Sequence, residues 1–424
     1  MSETCGCGRH GATRRDLLRW SAAAAGIAAL GPFRGLLPTA TGAPQSLKRL
    51  IVVNLYGGND TLNMFIPVNL QPYYDRRPGI AVPAASALAL GGVAATTSYR
   101  LHPSMPKIAA LWNEGSVAAV QRVGYPDENL SHFTSQDIFS LGVRNNFGAL
   151  GIPTSGWVAR FADHYAPTPM GSVALGVGRP LDFQGGNTAP FLANDLPNFQ
   201  LYNLGNNPEI YRLDKAKQIL SSWSGSGDKV EAKKSQKLAY DLVDQIQAAL
   251  ASFSTGTTYA GDYFSQRLRE VAVLVQGGFE SRLFYTGFGG FDSHSGQGAA
   301  MGYQAGLFAM LDNAVGSLVQ DLKAMGVWND TVITVITEFG RRNYENGSAG
   351  TDHGHAFCEL VLGGDVRGGV YGPDLVNADI NAEYPSYAVD FRSIYMEALA
   401  NHMGADPAPI FPEPLEKTVN LGIL

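Results

Sequence analysis

Leu50-Ile51-Val52-Val53-Asn54-Leu55, followed at once by Gly57-Gly58-Asn59-Asp60, is the stretch that decides how this chain is read. A short β-branched run bounded by glycines predicts a buried strand that stops in a tight loop. Asp60 then stands at the carboxyl end of a strand, the edge at which open α/β sheets bind ligands. The same grammar recurs at Thr331-Val332-Ile333-Thr334-Val335-Ile336-Thr337, which ends in Glu338-Phe339-Gly340-Arg341. Further strands are expected over 116–123, 173–177, 281–286 and 359–362. The third of these runs into Gly287-Phe288-Gly289-Gly290-Phe291-Asp292-Ser293-His294, and the fourth follows Gly350-Thr351-Asp352-His353-Gly354-His355. Helical spacing marks 104–112, 268–275 and 303–325, and Leu238, Leu242, Ile246 and Leu250 mark an amphipathic helix over 229–253. Strands alternating with helices predict an α/β fold with a mostly parallel central sheet covered by helices on both faces. The Asn/Pro/Gly-rich stretch and helix of about 181–260 are expected to form a helical insertion or lid.

The 424 residues are 45% hydrophobic and 16% charged, enough apolar material for a large core and too little charge for disorder. Length alone suggests two or three domains. Large α/β proteins often hang insertions from one sheet, and one core spanning 44–424 is expected. Thr13-Arg14-Arg15-Asp16-Leu17-Leu18 precedes an apolar run from Ser21 to Leu30, with small residues from Ala40 to Ala43. That pattern predicts a twin-arginine export signal over 1–43, and its apolar run is too short to span a membrane. The expected partner in export is the twin-arginine translocase, and the expected destination is the periplasm or the medium. Removing the signal takes away five arginines and two acids, so the formal charge of −6 becomes −9. No long basic run is present, which argues against nucleic acid as a partner. Cys358 is the one cysteine outside the signal, so no internal disulfide is expected.

Asp60, Asp292, His294, Glu338, Asp352, His353 and His355 all follow expected strands or lie in Gly-rich connections, which converge at one edge of a parallel sheet. A mixed imidazole and carboxylate set suits a divalent metal, zinc or manganese before magnesium or calcium. An isolated Asp-His-Gly-His is read equally as a metal loop and as a hydrogen-bonded turn; the other strand-end acids favour the metal. Ser131 is an expected N-cap, where free N–H groups and the helix dipole suit an anion, so it is either a nucleophile or only a cap. His132 can bind metal, act as acid or base, or pack against the loop. Arg341 can grip an anionic ester or hold Glu338. Thr337 and Asn59 are candidate supporting donors.

Together these motifs resemble the bacterial family called domain of unknown function 1501. Its pattern is seen here as Gly57-Gly58-Asn59-Asp60-Thr61-Leu62-Asn63, Ser131-His132-Phe133, Asp292-Ser293-His294, Glu338-Phe339-Gly340-Arg341 and Asp352-His353-Gly354, with Gly156-Trp157 and Asp390-Phe391-Arg392. The resemblance runs from about residue 48 to the end. That family is similar to a branch of the alkaline phosphatase and sulfatase superfamily. The resemblance implies an alkaline-phosphatase-like fold, a Ser/Thr nucleophile, and one or two divalent metals held by a first-strand Asp and later Asp/His loops. Two departures stand out: Phe339 occupies the place of an expected His, and Asp292-Ser293-His294 lacks the usual gap between Asp and His. Ser104-Met105-Pro106-Lys107-Ile108 lacks the Arg of a formylglycine motif, so a sulfatase of that kind is not implied.

The function these observations predict is metal-dependent hydrolysis of a phosphate or sulfate ester: the metal polarises the ester, Ser131 or a metal-activated water attacks, and Arg341 offsets charge. The alternative, motivated by Phe339 and the Asp292/His294 spacing, is a catalytically degenerate binding or assembly protein that engages a co-exported partner or a glycan. A third possibility is that the Asp352-His353-Gly354-His355 loop is a structural metal clip.

Overall fold

The computed structural model describes residues 47–144, 153–199, 209–222, 228–413 and 420–424. The expected signal over 1–43 lies outside the described residues. The strands are β1 (Arg49–Tyr56), β2 (Phe65–Ile66), β3 (Leu88–Leu90), β4 (Thr96–Leu101), β5 (Val117–Gly124), β6 (Ser172–Leu175), β7 (Phe191–Ala193), β8 (Leu283–Gly289), β9 (Thr331–Ile336), β10 (Phe357–Gly363), β11 (Gly369–Tyr371) and β12 (Val389–Asp390). The longer helices are α1 (Pro106–Asn113), α2 (His132–Leu141), α3 (Trp157–Tyr165), α4 (Glu209–Ser222), α5 (Asp228–Ser252), α6 (Tyr263–Gln276), α7 (Tyr303–Ala324) and α8 (Phe391–Glu397).

A nine-stranded sheet runs β11-β5-β10-β9-β1-β8-β6-β7, with β12 also paired to β5. β1 lies parallel to both β8 and β9, and β6 is parallel to β7 and β8. β10 runs antiparallel to both its neighbours, β5 and β9. The expected mixed α/β architecture with a mostly parallel sheet is what forms. Alternation along β1 sends Ile51, Val53 and Leu55 to one apolar cluster and Leu50 and Val52 to the other, so the strand is buried on both faces. α1, α6 and α7 cover the first face through Ile108, Leu268, Phe308 and Leu311; α2, α3 and α8 cover the second through Phe139, Trp157 and Tyr395.

The one reversed strand decides where the site is built. Because β10 pairs antiparallel with β9, the connection over 337–356 needs no crossover helix and stays at the carboxyl edge of the parallel strands. The exits of β1, β5, β8 and β9 and the entry to β10 therefore meet at that edge. A separate three-stranded sheet, β2-β4-β3, was not read from the sequence; its strands are two to six residues long. Within 181–260 the expected helix forms as α5, and its Leu242, Ile246 and Ala249 are buried in the first core cluster.

Candidate metal centre

The site is built on the two glycines after β1. Gly57 and Gly58 have φ of 116° and 69°, a backbone that a side chain strains. A Cβ at Gly57 would collide with the backbone of Phe291 and Asp292, and one at Gly58 with the ring of Phe339. The glycines thus let the exits of β1, β8 and β9 close on one another. Thr337 locks them from below: its hydroxyl donates to the Leu55 carbonyl and accepts from the Asn59 N–H, both at 2.9 Å.

Asp292 is the hub. Its Oδ1 accepts from the buried Arg341 guanidinium at 2.6 Å and stands 2.9 Å from His294 Nε2, 3.2 Å from His353 Nε2 and 3.5 Å from His132 Nε2. Burial works to raise the Asp292 pKa, but the hydrogen bond and charge of Arg341 override it and hold the carboxyl at about 2. Among the described residues His132, Asp292 and His353 bring one donor atom each to within 4.8 Å of one another, a candidate metal-binding triad. His132 Nε2 is buried without a hydrogen-bond partner. An orphaned imidazole nitrogen facing a carboxylate and a second imidazole is a donor set that fits zinc or manganese.

The remaining sequence candidates divide between those drawn in and those held apart. Glu338 Oε1 accepts from His132 Nδ1 at 2.7 Å and from the Gly57 N–H at 2.8 Å. Burial pushes the Glu338 pKa up, yet the bonds from His132 and Gly57 outweigh it and keep the carboxylate ionised. The same bond raises the His132 pKa against the effect of burial. Asp352 Oδ1 lies 2.9 Å from His294 Nδ1, and that bond lowers its pKa. His353 Nδ1 meets the Leu130 carbonyl at 2.7 Å; burial lowers its pKa.

Asp60, by contrast, is buried in an ion pair with Arg77 at 2.6 Å and accepts from Gln297 at 2.6 Å. Its charge is balanced by a guanidinium, and it lies outside the His132–Asp292–His353 triad. Gln297 is the link: its Oε1 accepts from Ser293 at 3.0 Å and from Thr351 at 2.8 Å. His355 also stands apart, buried beside Tyr125, Tyr384 and Tyr387 with ring centroids at 5.0, 6.4 and 5.7 Å. Arg341 was expected to grip an anionic ester or to hold Glu338; its side chain is fully buried and donates to the carbonyls of Gly57, Gly58 and Thr351 and to Asp292. It stitches the three loops together. Ser131 is the N-cap of α2, but its hydroxyl makes no capping bond. Its neighbours Leu130 and His132 both touch the cluster.

The sequence profile of the family described as protein of unknown function, DUF1501, matches residues 100–421. The chain belongs to this family. The matched span holds Ser131, His132, Asp292, Glu338 and His353 but begins after the Gly57–Asn63 motif. No curated protein matches in sequence. Solved structures similar to this DUF1501 protein include an alkaline phosphatase superfamily protein from Vibrio parahaemolyticus, with 13% identity, TM-score 0.40 and coverage of 94% of this chain and 79% of that one. A sulfatase from Pseudoalteromonas sp. is 12% identical, with TM-score 0.36 and coverage of 92% and 72%. The alkaline phosphatase of the Antarctic bacterium TAB5 is 11% identical, with TM-score 0.30 and coverage of 84% and 98%. Likeness at this level transfers no residue roles.

Residues that the DUF1501 motifs did not bring forward are Arg77, Gln297 and the Leu130 carbonyl. Arg77 lies in an ordinary polar stretch, and a backbone carbonyl leaves no trace in composition. Phe339, in the place of an expected His, is fully buried with its ring 4.8 Å from His132 and 4.9 Å from His353, a wall against both imidazoles.

Proposed function

We propose that this protein is a metal-dependent hydrolase of phosphate or sulfate esters, exported by the twin-arginine pathway. The observation that carries the proposal is the convergence of His132, Asp292 and His353 donors on one point at the carboxyl edge of the sheet. Those three residues would hold zinc or manganese, which when bound supplies Lewis acidity to an ester oxygen.

The chain's own groups supply the rest. α2 is ten residues long and opens at the site, so its first-turn N–H groups and positive dipole end favour an anionic ester. Ser131, exposed and with a hydroxyl that makes no capping bond, is the proposed nucleophile. Arg341 acts one step back, fixing Asp292 rather than gripping substrate. Phe339 excludes water from one side of the two imidazoles. No helix among the described residues is long and apolar enough to cross a membrane. Of the signal the proposal uses only Arg14-Arg15 and the apolar run behind them.

The test is turnover of p-nitrophenyl phosphate and p-nitrophenyl sulfate by the purified protein, before and after chelation and after zinc or manganese is restored. Turnover that a chelator abolishes and metal restores is expected, with Ser131→Ala losing activity at unchanged metal content. Absence of turnover on both ester classes, with stoichiometric capture of a partner, would favour the noncatalytic alternative.

A further inference from the structure

His132, His294 and His353 each present one ring nitrogen to a fixed acceptor. The Nδ1 partners are the Glu338 carboxylate at 2.7 Å, the Asp352 carboxylate at 2.9 Å and the Leu130 carbonyl at 2.7 Å. An ionised carboxylate and a carbonyl only accept, so each Nδ1 carries a proton, and a ring that holds no second proton offers its Nε2 lone pair. Those Nε2 atoms face inward. They stand 3.5, 2.9 and 3.2 Å from the same Asp292 oxygen, and the Nε2 atoms of His294 and His353 are 3.0 Å apart. Lone pairs gathered this closely repel unless a proton or a metal cation lies among them, and three imidazole nitrogens around one carboxylate oxygen are the donor set of a metal ion.

Glu338 and Asp352 face differently. Glu338 Oε1 is occupied by His132 Nδ1, the Gly57 N–H and, at 3.4 Å, Gln136. Asp352 Oδ1 is occupied by His294 Nδ1 and by Asn346 at 3.1 Å, and the same Asn346 amide donates to the His294 carbonyl. Each carboxylate turns one oxygen to the far nitrogen of an imidazole.

We infer that His294 is a fourth donor to the ion, and that Glu338 and Asp352 are positioning residues that aim His132 and His294 rather than ligands. The inference rests on the metal-centre reading above but not on any ester being the substrate. A carboxylate behind an imidazole fixes its tautomer and makes it a stronger donor, and losing such a partner typically weakens metal binding roughly 10–100-fold. The three rings would then be set from separate places: the exit of β9, the 346–352 turn and the backbone just before α2.

The experiment is zinc affinity of the full chain by competition with a chromophoric chelator, together with the visible spectrum of the cobalt-substituted protein. Asp352→Ala should weaken zinc binding roughly 10–100-fold, and His294→Ala at least as much. Asp352→Asn should recover most of the loss, because its amide oxygen still accepts from Nδ1. The cobalt spectrum should change for His294→Ala and stay that of the wild type for Asp352→Asn. Glu338→Gln should behave as Asp352→Asn does; Glu338 also anchors Gly57, so the half-exposed Asp352 carries the test if that variant does not fold. Wild-type affinity and spectrum in His294→Ala would overturn the fourth donor. Loss of binding in Asp352→Asn as complete as in His353→Ala would make Asp352 a ligand and overturn its positioning role. A wild-type protein that binds neither zinc nor cobalt would remove this inference and the metal reading together.

Discussion

Asp60 and Asp292 both follow a buried strand, and in the sequence they look alike. Their neighbours set them apart: Asp60 meets Arg77 and Gln297 in the interior, whereas Asp292 meets one guanidinium and three imidazoles at a half-exposed edge. Removing one partner of a buried ion pair leaves the other charge uncompensated, so Asp60→Ala should cost about 3–5 kcal/mol in urea unfolding. Its metal content should stay at the wild-type level. Metal loss without loss of stability would return Asp60 to the ligand set. His132 shows the limit of reading single residues. Its three sequence roles were equally open, and what separates them is Glu338, 206 positions away in the chain. No local pattern carries a pairing of that range.

At the level of elements, the strand ends were legible because β-branched runs that break at glycine have few other uses. β1, β8 and β9 formed where expected to within a few residues. The direction of β10 was not legible, since apolar runs buried on both faces look the same in parallel and antiparallel pairs. That direction matters, because it returns the Asp352–His355 loop to the site. The two glycines after β1 make the convergence possible, and they give a prediction at this scale. Gly58→Ala forces a side chain into φ of 69° and against Phe339. A left-handed backbone at a non-glycine residue costs about 1–2 kcal/mol before any clash. Thermal unfolding should show that loss, and zinc affinity should fall with it as Phe339 is pushed against His132 and His353. Unchanged affinity would mean that the loops reach the centre independently of the turn.

Across the whole molecule, the sheet keeps its charged chemistry at one edge and buries other polar groups inside. Asp182, fully enclosed beneath α2 and hydrogen-bonded to Ser140 at 2.7 Å, has its pKa pushed by burial from an ordinary 3.8 to about 6. The fold therefore prefers its protonated form. The stability this contributes is present below about pH 3.8 and is lost as pH rises through about 6. Between pH 4 and pH 7 the wild type should lose on the order of 1–3 kcal/mol relative to Asp182→Asn. Parallel denaturation curves at both pH values check this, and a constant difference would show that folding leaves the Asp182 pKa unshifted. Asp182 was invisible as a titrating group in the sequence, because its burial depends on α2 and α3 closing over it.

The central claim is that a divalent metal is held by His132, Asp292 and His353. Elemental analysis of the purified full chain, wild type beside His353→Ala, tests it most directly. Zinc or manganese in the wild type and its loss from the variant is the predicted result; a wild type without either metal, or a variant that keeps its full complement, would contradict the account.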